Sequence, residues 1–377
     1  MSNMENKSVS VRFAAINRTI DQTIIKPTEK VNTGSMDYVL WGDANNYPDY
    51  LDSLYDEVPT LKTCINGLVD YVCGNDIICK FPIFGGTKLN RKETGSEVIK
   101  AVAENDARKG GFALQIIRSF DGSIAEVYNV DLNYLRTNKE RDVFFYSEDW
   151  GKKNVRKDKA LVYPAFDPSL KWETLDEEAR KRHLSSILFV SNSSRHTYPS
   201  PVYSASVKAC EMERNIDDYH LNALENNFAG NVVINFNNGI PDDETKNEIE
   251  KLFTEKFTGS RNAGRVSFCW NDSKENAMTI DQVTVEDFGE KYNSLEKRAR
   301  QQIFTAFRAN PNLFGIPTDN LGFSSEEYEA SFKLFNRTMV QPIQKDIAEA
   351  FQKIFGTKVV TFVPFNMDEG SKETIVN

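Results

Sequence analysis

Between residues 198 and 356 the sequence carries three long helical patterns, and the first two flank a short strand–helix–strand unit. The first pattern, over residues 199–230, spaces its apolar residues three and four apart, which is typical of one narrow seam along a helix. Its opposite face carries charged and amide side chains, so this helix is not expected to be buried on all sides. The second pattern, over residues 281–309, has an equally narrow apolar stripe. This order of elements restricts the fold more than any other feature of the chain.

Two stripes so narrow do not make a self-contained helical bundle. Burying them between copies of the chain, at ~25 cal/mol per Å² of apolar surface, favours a closed homo-oligomer. We expect Ser200 to cap the first of these helices and Pro201 to occupy its first position. The stripe residues that we expect to pack between subunits are Met212, Ile216, Tyr219, Phe288, Tyr292 and Leu295.

The unit between the two helices, residues 231–280, is predicted to form a strand, a helix and a second strand. Its helix has acidic residues in the first turn, where the helix dipole favours them. The predicted apolar face consists of Ile249, Leu252, Phe253 and Phe257. The next segment, "GSRNAGR", superficially resembles a phosphate loop, but it lacks the Lys-Ser/Thr ending and follows a helix instead of a strand. We therefore interpret it as a turn.

A loop with prolines and glycines, residues 310–323, joins the second long helix to the third. It contains no recognisable catalytic residue. The third helix, residues 324–356, begins with a Ser324/Glu327 capping box, and Pro342 inside it predicts a kink or a break. Residues 357–377 are expected to form one strand and a loose tail.

The first half of the chain has a different character. Residues 1–36 are polar and aperiodic, and we expect a flexible arm there. Residues 37–198 combine two helical patterns with several strands, which predicts an α+β domain. Two of the strands flank Asp121-Gly122, a strong signal for a two-residue hairpin turn.

Charge and composition narrow the possible functions. The formal net charge is −9, whereas a protein that grips nucleic acid by neutralising phosphates is basic. Five cysteines without a CxxC pair indicate reduced thiols, and three histidines without metal-binding spacing argue against a zinc site. We predict no catalytic residue, no cofactor and no metal, and hence no enzyme. The polar N-terminus predicts no signal peptide, and no apolar run is long enough to predict a membrane span.

Three motifs in this order carry a family resemblance: "YPSPVYSASVKACEMERN", "NPNLFGIP" and "SFKLFNRTMVQPIQKDIAEAFQKIF". Over residues 40–355 the chain resembles the portal protein family of tailed phages, of the short type found in phages with the common capsid fold. Family members often have Tyr-Gly-x-Pro where this chain has Tyr198-Pro199-Ser200-Pro201, which makes the turn stiffer here. The resemblance implies an α+β, portal-like fold.

Each segment has a counterpart in that fold. Residues 37–198 and the kinked helix 324–356 would form the wing, and residues 199–230 and 281–309 the two stem helices. Residues 231–280 would form the clip, and residues 310–323 a loop in the channel. The short tail implies a minimal crown.

The resemblance also implies a function. Portals of this kind assemble as a ring, usually a dodecamer, at one capsid vertex, where the genome is packaged and later ejected. The implied partners are the terminase large subunit, the major capsid protein, a head–tail adaptor and double-stranded DNA in non-specific transit, with no membrane. The implied location is the virion, and the host cytoplasm during assembly. An acidic chain suits a conduit, since a basic wall would hold DNA through counterion release.

Two site hypotheses follow from the resemblance. The loop residues Asn312, Thr318, Asp319 and Asn320 are candidates for contact with passing DNA; the alternative is that Leu313, Phe314 and Ile316 hold the loop in the wing core. The clip is a candidate docking site for the terminase and the adaptor, because it lies between the two stems. The candidate docking residues are Asp242, Asp243, Glu244, Lys246 and Glu248.

Two other functions remain open from the sequence. Another ring-forming structural protein of the phage tail or baseplate would share the long helices and the lack of catalytic chemistry. An enzyme acting on nucleotides or phosphates would need a nucleophile, a metal cluster or a phosphate cradle, and none is recognisable in the sequence.

Overall fold

The computed structural model describes residues 10–13, 24–32, 36–150, 160–225, 232–237, 239, 241–257, 266–270, 286–316 and 325–365. The chain divides into two units. One comprises Met1–Thr23 and Met212–Lys297, and the other Ile24–Glu211 and Arg298–Asn377. We call them the smaller and the larger unit.

The described helices and strands are numbered in chain order. The α-helices are α1 (Tyr47–Glu57), α2 (Pro59–Cys73), α3 (Gly95–Lys109), α4 (Glu177–His183), α5 (Val207–Glu225), α6 (Asp243–Phe257), α7 (Glu286–Ala306), α8 (Ser325–Phe335) and α9 (Gln341–Phe355). The strands are β1 (Ser10–Phe13), β2 (Glu29–Val31), β3 (Val39–Trp41), β4 (Asp76–Cys79), β5 (Gly111–Arg118), β6 (Ile124–Val130), β7 (Leu135–Thr137), β8 (Val143–Tyr146), β9 (Leu161–Pro164), β10 (Ser185–Ser191), β11 (Val232–Phe236), β12 (Val266–Trp270) and β13 (Val360–Val363). The boundaries of the two units lie inside α5 and α7.

The core of the larger unit is built from α1, α2 and α3 and the antiparallel sheet β10–β5–β6. Helix α3 packs on β5 and β6 and also on α2. It begins with a capping box in which Thr94 and Glu97 satisfy each other's backbone N–H groups, and Gly110 ends it in the left-handed conformation. The sequence reading did not predict α3, although both end signals are present in the sequence.

A hairpin is confirmed at Asp121-Gly122, but its connection is longer than the predicted two residues, because β5 ends at Arg118 and β6 begins at Ile124. Strands β5 and β6 pair antiparallel on either side of it, and Gly122 has a φ of 90°. The peptide N–H of Gly122 donates to the carbonyl of Ser119, and that of Ser119 to the carbonyl of Ser123. These bonds close the turn.

Smaller antiparallel sheets complete the larger unit: β7–β8–β9, β2–β3, and β4–β13. The last confirms the strand predicted after the third helix. The ring of Tyr198 stacks on that of Trp41 with centroids 4.4 Å apart, and its hydroxyl donates to the carbonyl of Val39. The Tyr-Pro motif thus fixes the chain before α5 to the β2–β3 ribbon.

The predicted break near Pro342 is confirmed. Helices α8 and α9 are joined by a π-helical segment, Asn336–Val340, and Pro342 lies in the first turn of α9. A proline is tolerated there because the first turn needs no intrahelical donor. Residues Ile347, Ala350, Phe351 and Ile354 of α9 are buried in the larger unit.

The smaller unit contains the predicted strand–helix–strand. Strands β11 and β12 are parallel, as a helical connection requires. Strand β1 pairs antiparallel on the other side of β12. The prediction of a flexible arm over residues 1–36 is therefore wrong at β1 and also at β2, because backbone pairing with β12 and β3 orders segments whose sequence shows no strand pattern.

The start of the first long helix also differs from the prediction. Helix α5 begins at Val207, after a 3-10 turn at Ser204–Ser206, so Ser200 and Pro201 do not begin it. Both peptide groups of Ser200 are bonded to the side chain of Asn192, at 3.2 Å from its N–H and 2.7 Å to its carbonyl. The hydroxyl of the buried Tyr203 donates to the carbonyl of Arg108 (2.7 Å), so this segment is tied to other parts of the larger unit.

Candidate interaction surfaces

The described part of the predicted loop is a 3-10 turn, Pro311–Phe314, in the larger unit. The side chain of Asn310 accepts from the peptide N–H of Asn312 (3.3 Å) and so caps the turn. Gly315 ends it with a φ of 73°, in the left-handed region that favours glycine. The local sequence Asn-Pro-x-x-x-Gly therefore dictates both ends of this turn.

The turn is fixed to α2 and α8 by an aromatic cluster, which consists of Tyr71, Phe304, Phe314, Phe332, Phe335 and Phe365. Leu313 is buried, and its carbonyl accepts a hydrogen bond of 2.7 Å from the hydroxyl of Tyr71. The ring of Phe314 meets Phe335 edge-on with centroids 5.8 Å apart. Burial of Tyr71 raises the pKa of its hydroxyl, which keeps it protonated as a donor.

The ring of Phe314 lies directly over Gly67 of α2. A Cβ atom at Gly67 would stand 2.2 Å from Cδ1 of Phe314, so only glycine fits there. Beside this contact a groove of about 450 Å³ opens on α2. We call it the α2 groove; its lining residues are Thr63, Asn66, Gly67, Asp70, Tyr71, Leu313, Phe314 and Phe365.

This geometry bears on both interpretations of the loop. Leu313 and Phe314 hold the start of the loop in the larger unit, as the alternative to DNA contact expected. Asn312 is half-buried, and its carbonyl accepts from the peptide N–H of Gly315. The other candidates, Thr318, Asp319 and Asn320, lie outside the described residues.

The candidate docking residues lie on α6 and just before it. Asp242 accepts a hydrogen bond of 2.8 Å from the peptide N–H of Thr245, and this N-cap bond lowers its pKa. Asp243, Glu244 and Glu248 are exposed. They form the acidic face of α6.

Lys246 does not belong to that face, and its inclusion there is wrong. It is 7% exposed, and its ammonium lies 3.4 Å from Asp243. Lys246 precedes Ile249 by three residues and shares its side of the helix, so its aliphatic stem is buried while the charge reaches Asp243. Leu252, which was predicted on the apolar face, is exposed instead.

The stripe residues in the smaller unit contact each other within one chain. The rings of Tyr219 and Tyr292 stack with centroids 4.6 Å apart, so α5 and α7 face each other here. Ile216 is buried, Met212 is half-buried, and Tyr219 and Leu295 remain exposed. The side chain of Phe288 lies outside the described residues. These stripes are therefore shared between contacts inside the chain and open surface.

Two buried charges in the larger unit were missed in the sequence. The guanidinium of Arg136 is fully buried; it donates to Asn45 and to the carbonyls of Leu132, Asn133 and Leu135. Burial lowers the pKa of Arg136 to about 10. No sequence pattern distinguishes this arginine, since all of its partners are created by the fold.

The second charge is Lys109, which is 2% exposed. Its ammonium lies 3.2 Å from Asp52 and 3.1 Å from Asp131, and it thereby joins α1, α3 and the end of β6. Asn133 donates to Asp52 (2.7 Å) and to Asp49 (3.0 Å). The cluster is a charged tie inside the core.

Among the described residues, no group of three or more His, Cys, Asp or Glu side chains is placed to hold a metal ion. A search of the same residues found no helix with the length and hydropathy of a membrane span.

A model of the family described as phage portal protein matches residues 86–374. The chain belongs to the phage portal protein family. Portal proteins are structural ring proteins, and the match confirms the predicted family and the α+β, portal-like fold.

One solved structure has a similar fold, and a second is similar at a lower TM-score. The chain is similar to one in the neck of an empty gene transfer agent particle, at 14% identity and a TM-score of 0.51, over 86% of this chain and 85% of that one. A portal protein of the HK97 family from Corynebacterium diphtheriae gives 11% identity and a TM-score of 0.45, over 83% of this chain and 94% of that one.

Curated relatives match a shorter stretch. An uncharacterised protein of Rickettsia bellii (strain RML369-C) is 29% identical over 39% of this chain and 36% of its own length. One from Rickettsia felis (strain ATCC VR-1525 / URRWXCal2) is 30% identical over 34% of this chain. The chain thus spans about a third of the length of these relatives, 36% and 31%.

Proposed function

We propose that copies of this chain form a ring at one vertex of a phage or phage-like capsid, and that double-stranded DNA is packaged and ejected through its centre. The match of residues 86–374 to the portal family carries this proposal. The acidic net charge of −9 supports it, because a conduit must not bind DNA tightly.

Ring formation is tested on the purified full chain by native mass spectrometry and negative-stain electron microscopy. We expect one closed oligomer, a dodecamer by analogy with the family, with an axial hole wide enough for duplex DNA. Sedimentation that shows only monomers at high protein concentration and moderate salt contradicts the proposal. A ring that lacks an axial hole favours a tail or baseplate component instead.

Within this ring we infer that residues 231–280 are the clip and dock first the terminase large subunit, in the host cytoplasm, and later a head–tail adaptor. The acidic face of α6 supports this, because Asp243, Glu244 and Glu248 are exposed and exposed charges steer the association of protein partners. The double variant Asp243→Lys/Glu244→Lys should weaken terminase binding and leave the ring intact.

A matched control reverses two acids on another helix, Glu177→Lys/Glu178→Lys at the start of α4, where both are exposed and also in a first turn. This control should bind the terminase as the wild type does. If terminase binding falls equally in both variants, the cause is a general charge effect. If the α6 variant binds the terminase as the wild type does, the docking site lies elsewhere.

We further propose that the second half of the loop, residues 317–323, contacts DNA in the channel. The anchoring of Leu313 and Phe314 supports this division, because a loop held at its start can present its remainder. Replacing Thr318, Asp319 and Asn320 with alanine should leave rings intact and impair DNA packaging or retention. If the variant forms no rings, the segment has a structural role. If rings form and DNA packaging is unchanged, the segment does not contact DNA.

A further inference from the structure

The tip of the β5–β6 hairpin presents an aromatic side chain to solvent. Phe120 is 82% exposed, the highest value among the large exposed apolar residues of the described chain. Its backbone is held in place, because the indole N–H of Trp172 donates 3.1 Å to the carbonyl of Phe120. The same indole packs against Gly122, where a Cβ would stand 2.4 Å from Cγ of Trp172. The fold therefore fixes the tip while leaving the phenylalanine ring outside.

The α2 groove is a matching hollow in the same unit. Its volume of about 450 Å³ lies within the range of pockets that enclose small ligands. Its lining includes the apolar and aromatic residues Tyr71, Leu313, Phe314 and Phe365. Such a lining suits an aromatic side chain, which gains from tilted and edge-to-face ring contacts.

The groove is unsuited to nucleic acid. The polar residues of its lining are Thr63, Asn66 and Asp70, and the lining contains no lysine or arginine. The carboxylate of Asp70 would repel a phosphate, so DNA in transit is not its ligand. A neutral side chain of another protein chain fits the lining better.

Phe120 does not reach the groove of its own chain. It is exposed and is not among the lining residues. Helix α3 packs on the sheet that ends in the hairpin tip and also on α2, which carries the groove, so the two features belong to different layers of the unit. In a cyclic ring the interface joins two different surfaces of successive copies, and a protrusion on one can meet a hollow on the next.

We infer that Phe120 of one copy inserts into the α2 groove of the neighbouring copy. The contact rests on the ring proposed above. It would bury an exposed aromatic anchor in a preformed apolar pocket, the arrangement that contributes most to protein interfaces. It would also place the neighbour's hairpin against the turn that begins the channel loop.

A photo-crosslink tests this contact in the assembled full-length protein. Phe120 is replaced by p-benzoylphenylalanine, rings are isolated and irradiated, and crosslinked peptides are identified by mass spectrometry. We expect a ladder of covalent oligomers on a denaturing gel, with attachment within residues 63–71 or 313–314 of another copy. If rings are intact but the crosslink lies at other residues, or no crosslink forms, the proposed contact is wrong and the ring proposal is unaffected. If the wild-type protein is monomeric, both the proposed ring and this contact are wrong.

Variants give an independent measurement. Phe120→Ala should raise the protein concentration needed for half-assembly about tenfold or more, because a fully buried phenylalanine loses its apolar contacts. Phe120→Trp should assemble nearly as well as the wild type. The control Leu161→Ala removes another exposed apolar side chain of the larger unit, 57% exposed, and should have little effect.

Thr63 is one of the residues that line the groove. The variant Thr63→Trp therefore places a large side chain in it. Because Thr63 is half-buried and its hydroxyl bonds only to the preceding turn of α2, this change is compatible with the fold. We expect weakened assembly, and no further loss when Phe120→Ala is added, since both changes remove one contact. Additive losses, or assembly unaffected by either change, overturn the inference.

Discussion

The hydroxyl of Tyr71 donates a hydrogen bond of 2.7 Å to the backbone carbonyl of Leu313, 242 residues away in the sequence. Tyr71 belongs to α2, and Leu313 to the turn that follows α7. The bond therefore ties the start of the candidate channel loop to the core of the larger unit. Because the hydroxyl acts on a backbone atom, it positions the loop whatever side chains follow.

Replacing Tyr71 with phenylalanine tests this tie. Tyr71→Phe keeps the aromatic contacts and removes the hydrogen bond, so we expect about 1 kcal/mol lower free energy of unfolding. Limited proteolysis within residues 317–324 should become faster. Tyr128→Phe is the control, because it removes a hydroxyl bond of the same length, 2.7 Å, to Glu126 within β6. Equal proteolysis in both variants would show that the bond does not position the loop.

Gly67 should not tolerate a side chain. In Gly67→Ala the new Cβ would lie 2.2 Å from Cδ1 of Phe314 and 2.5 Å from Cε1. We expect the free energy of unfolding, from urea denaturation, to fall by about 1–3 kcal/mol, typical of overpacking. Adding Phe314→Leu should cost less in the Gly67→Ala background than in the wild type, because the smaller side chain relieves the clash. Independent, additive losses would mean that the two positions do not meet.

Local signals in the sequence predicted those parts of the fold that depend on few residues. Asp121-Gly122 gave the hairpin, because the turn requires a positive φ that glycine supplies. Pro342 gave the break between α8 and α9, because its missing N–H is tolerated only in the first turn of a helix. The parallel pair β11–β12 followed from a strand, a helix and a strand in succession.

The remaining features depend on partners far away in the sequence. Strand β1 is ordered by backbone pairing with β12, which no side-chain pattern of a four-residue segment reveals. The segment before α5 is bonded to Asn192 at Ser200 and to Arg108 at Tyr203. Lys246 is buried because its aliphatic stem lies on the inner face of α6. The sequence prediction took it as exposed only because lysine is usually a surface residue. The contact of Tyr71 with Leu313 belongs to the same class.

The buried ammonium of Lys109 should be essential to the stability of the larger unit. In Lys109→Met the carboxylates of Asp52 and Asp131 lose a cation 3.2 and 3.1 Å away, but their side chains keep 23% and 46% exposure. Breaking a fully buried pair typically costs about 3–5 kcal/mol, and solvent screening of these carboxylates lowers the expected loss to about 2–3 kcal/mol. Lys345→Met is the control, since its pair with Glu349 at 3.7 Å is exposed and is worth about 0–1 kcal/mol. Urea unfolding at pH 7 measures both. Similar small losses in the two variants would show that the Lys109 cluster is well solvated.

The last prediction concerns the pH dependence of stability. Burial, together with the neighbouring carboxylate of Asp346 on α9, raises the pKa of Asp106 on α3 to about 7. An unfolded aspartate has a pKa near ~3.9, so between pH 4 and 7 the folded protein holds a proton that the unfolded chain has released. Stability contributed by this group therefore falls as pH rises through that window.

Asp106→Asn removes this penalty, since the amide stays neutral. The thermal midpoints of wild type and Asp106→Asn should be similar near pH 4, and the variant should become progressively more stable towards pH 8. Asp167→Asn is a control of opposite sign, because hydrogen bonds from Ser169 lower the pKa of Asp167. That variant should be less stable than wild type at neutral pH, with a difference that vanishes as the pH falls through the lowered pKa of Asp167. Comparing each variant with wild type at the same pH cancels the contributions of the other carboxylates. A difference for Asp106→Asn that stays constant from pH 4 to 8 would mean that Asp106 titrates normally and that α3 and α9 are not coupled by charge.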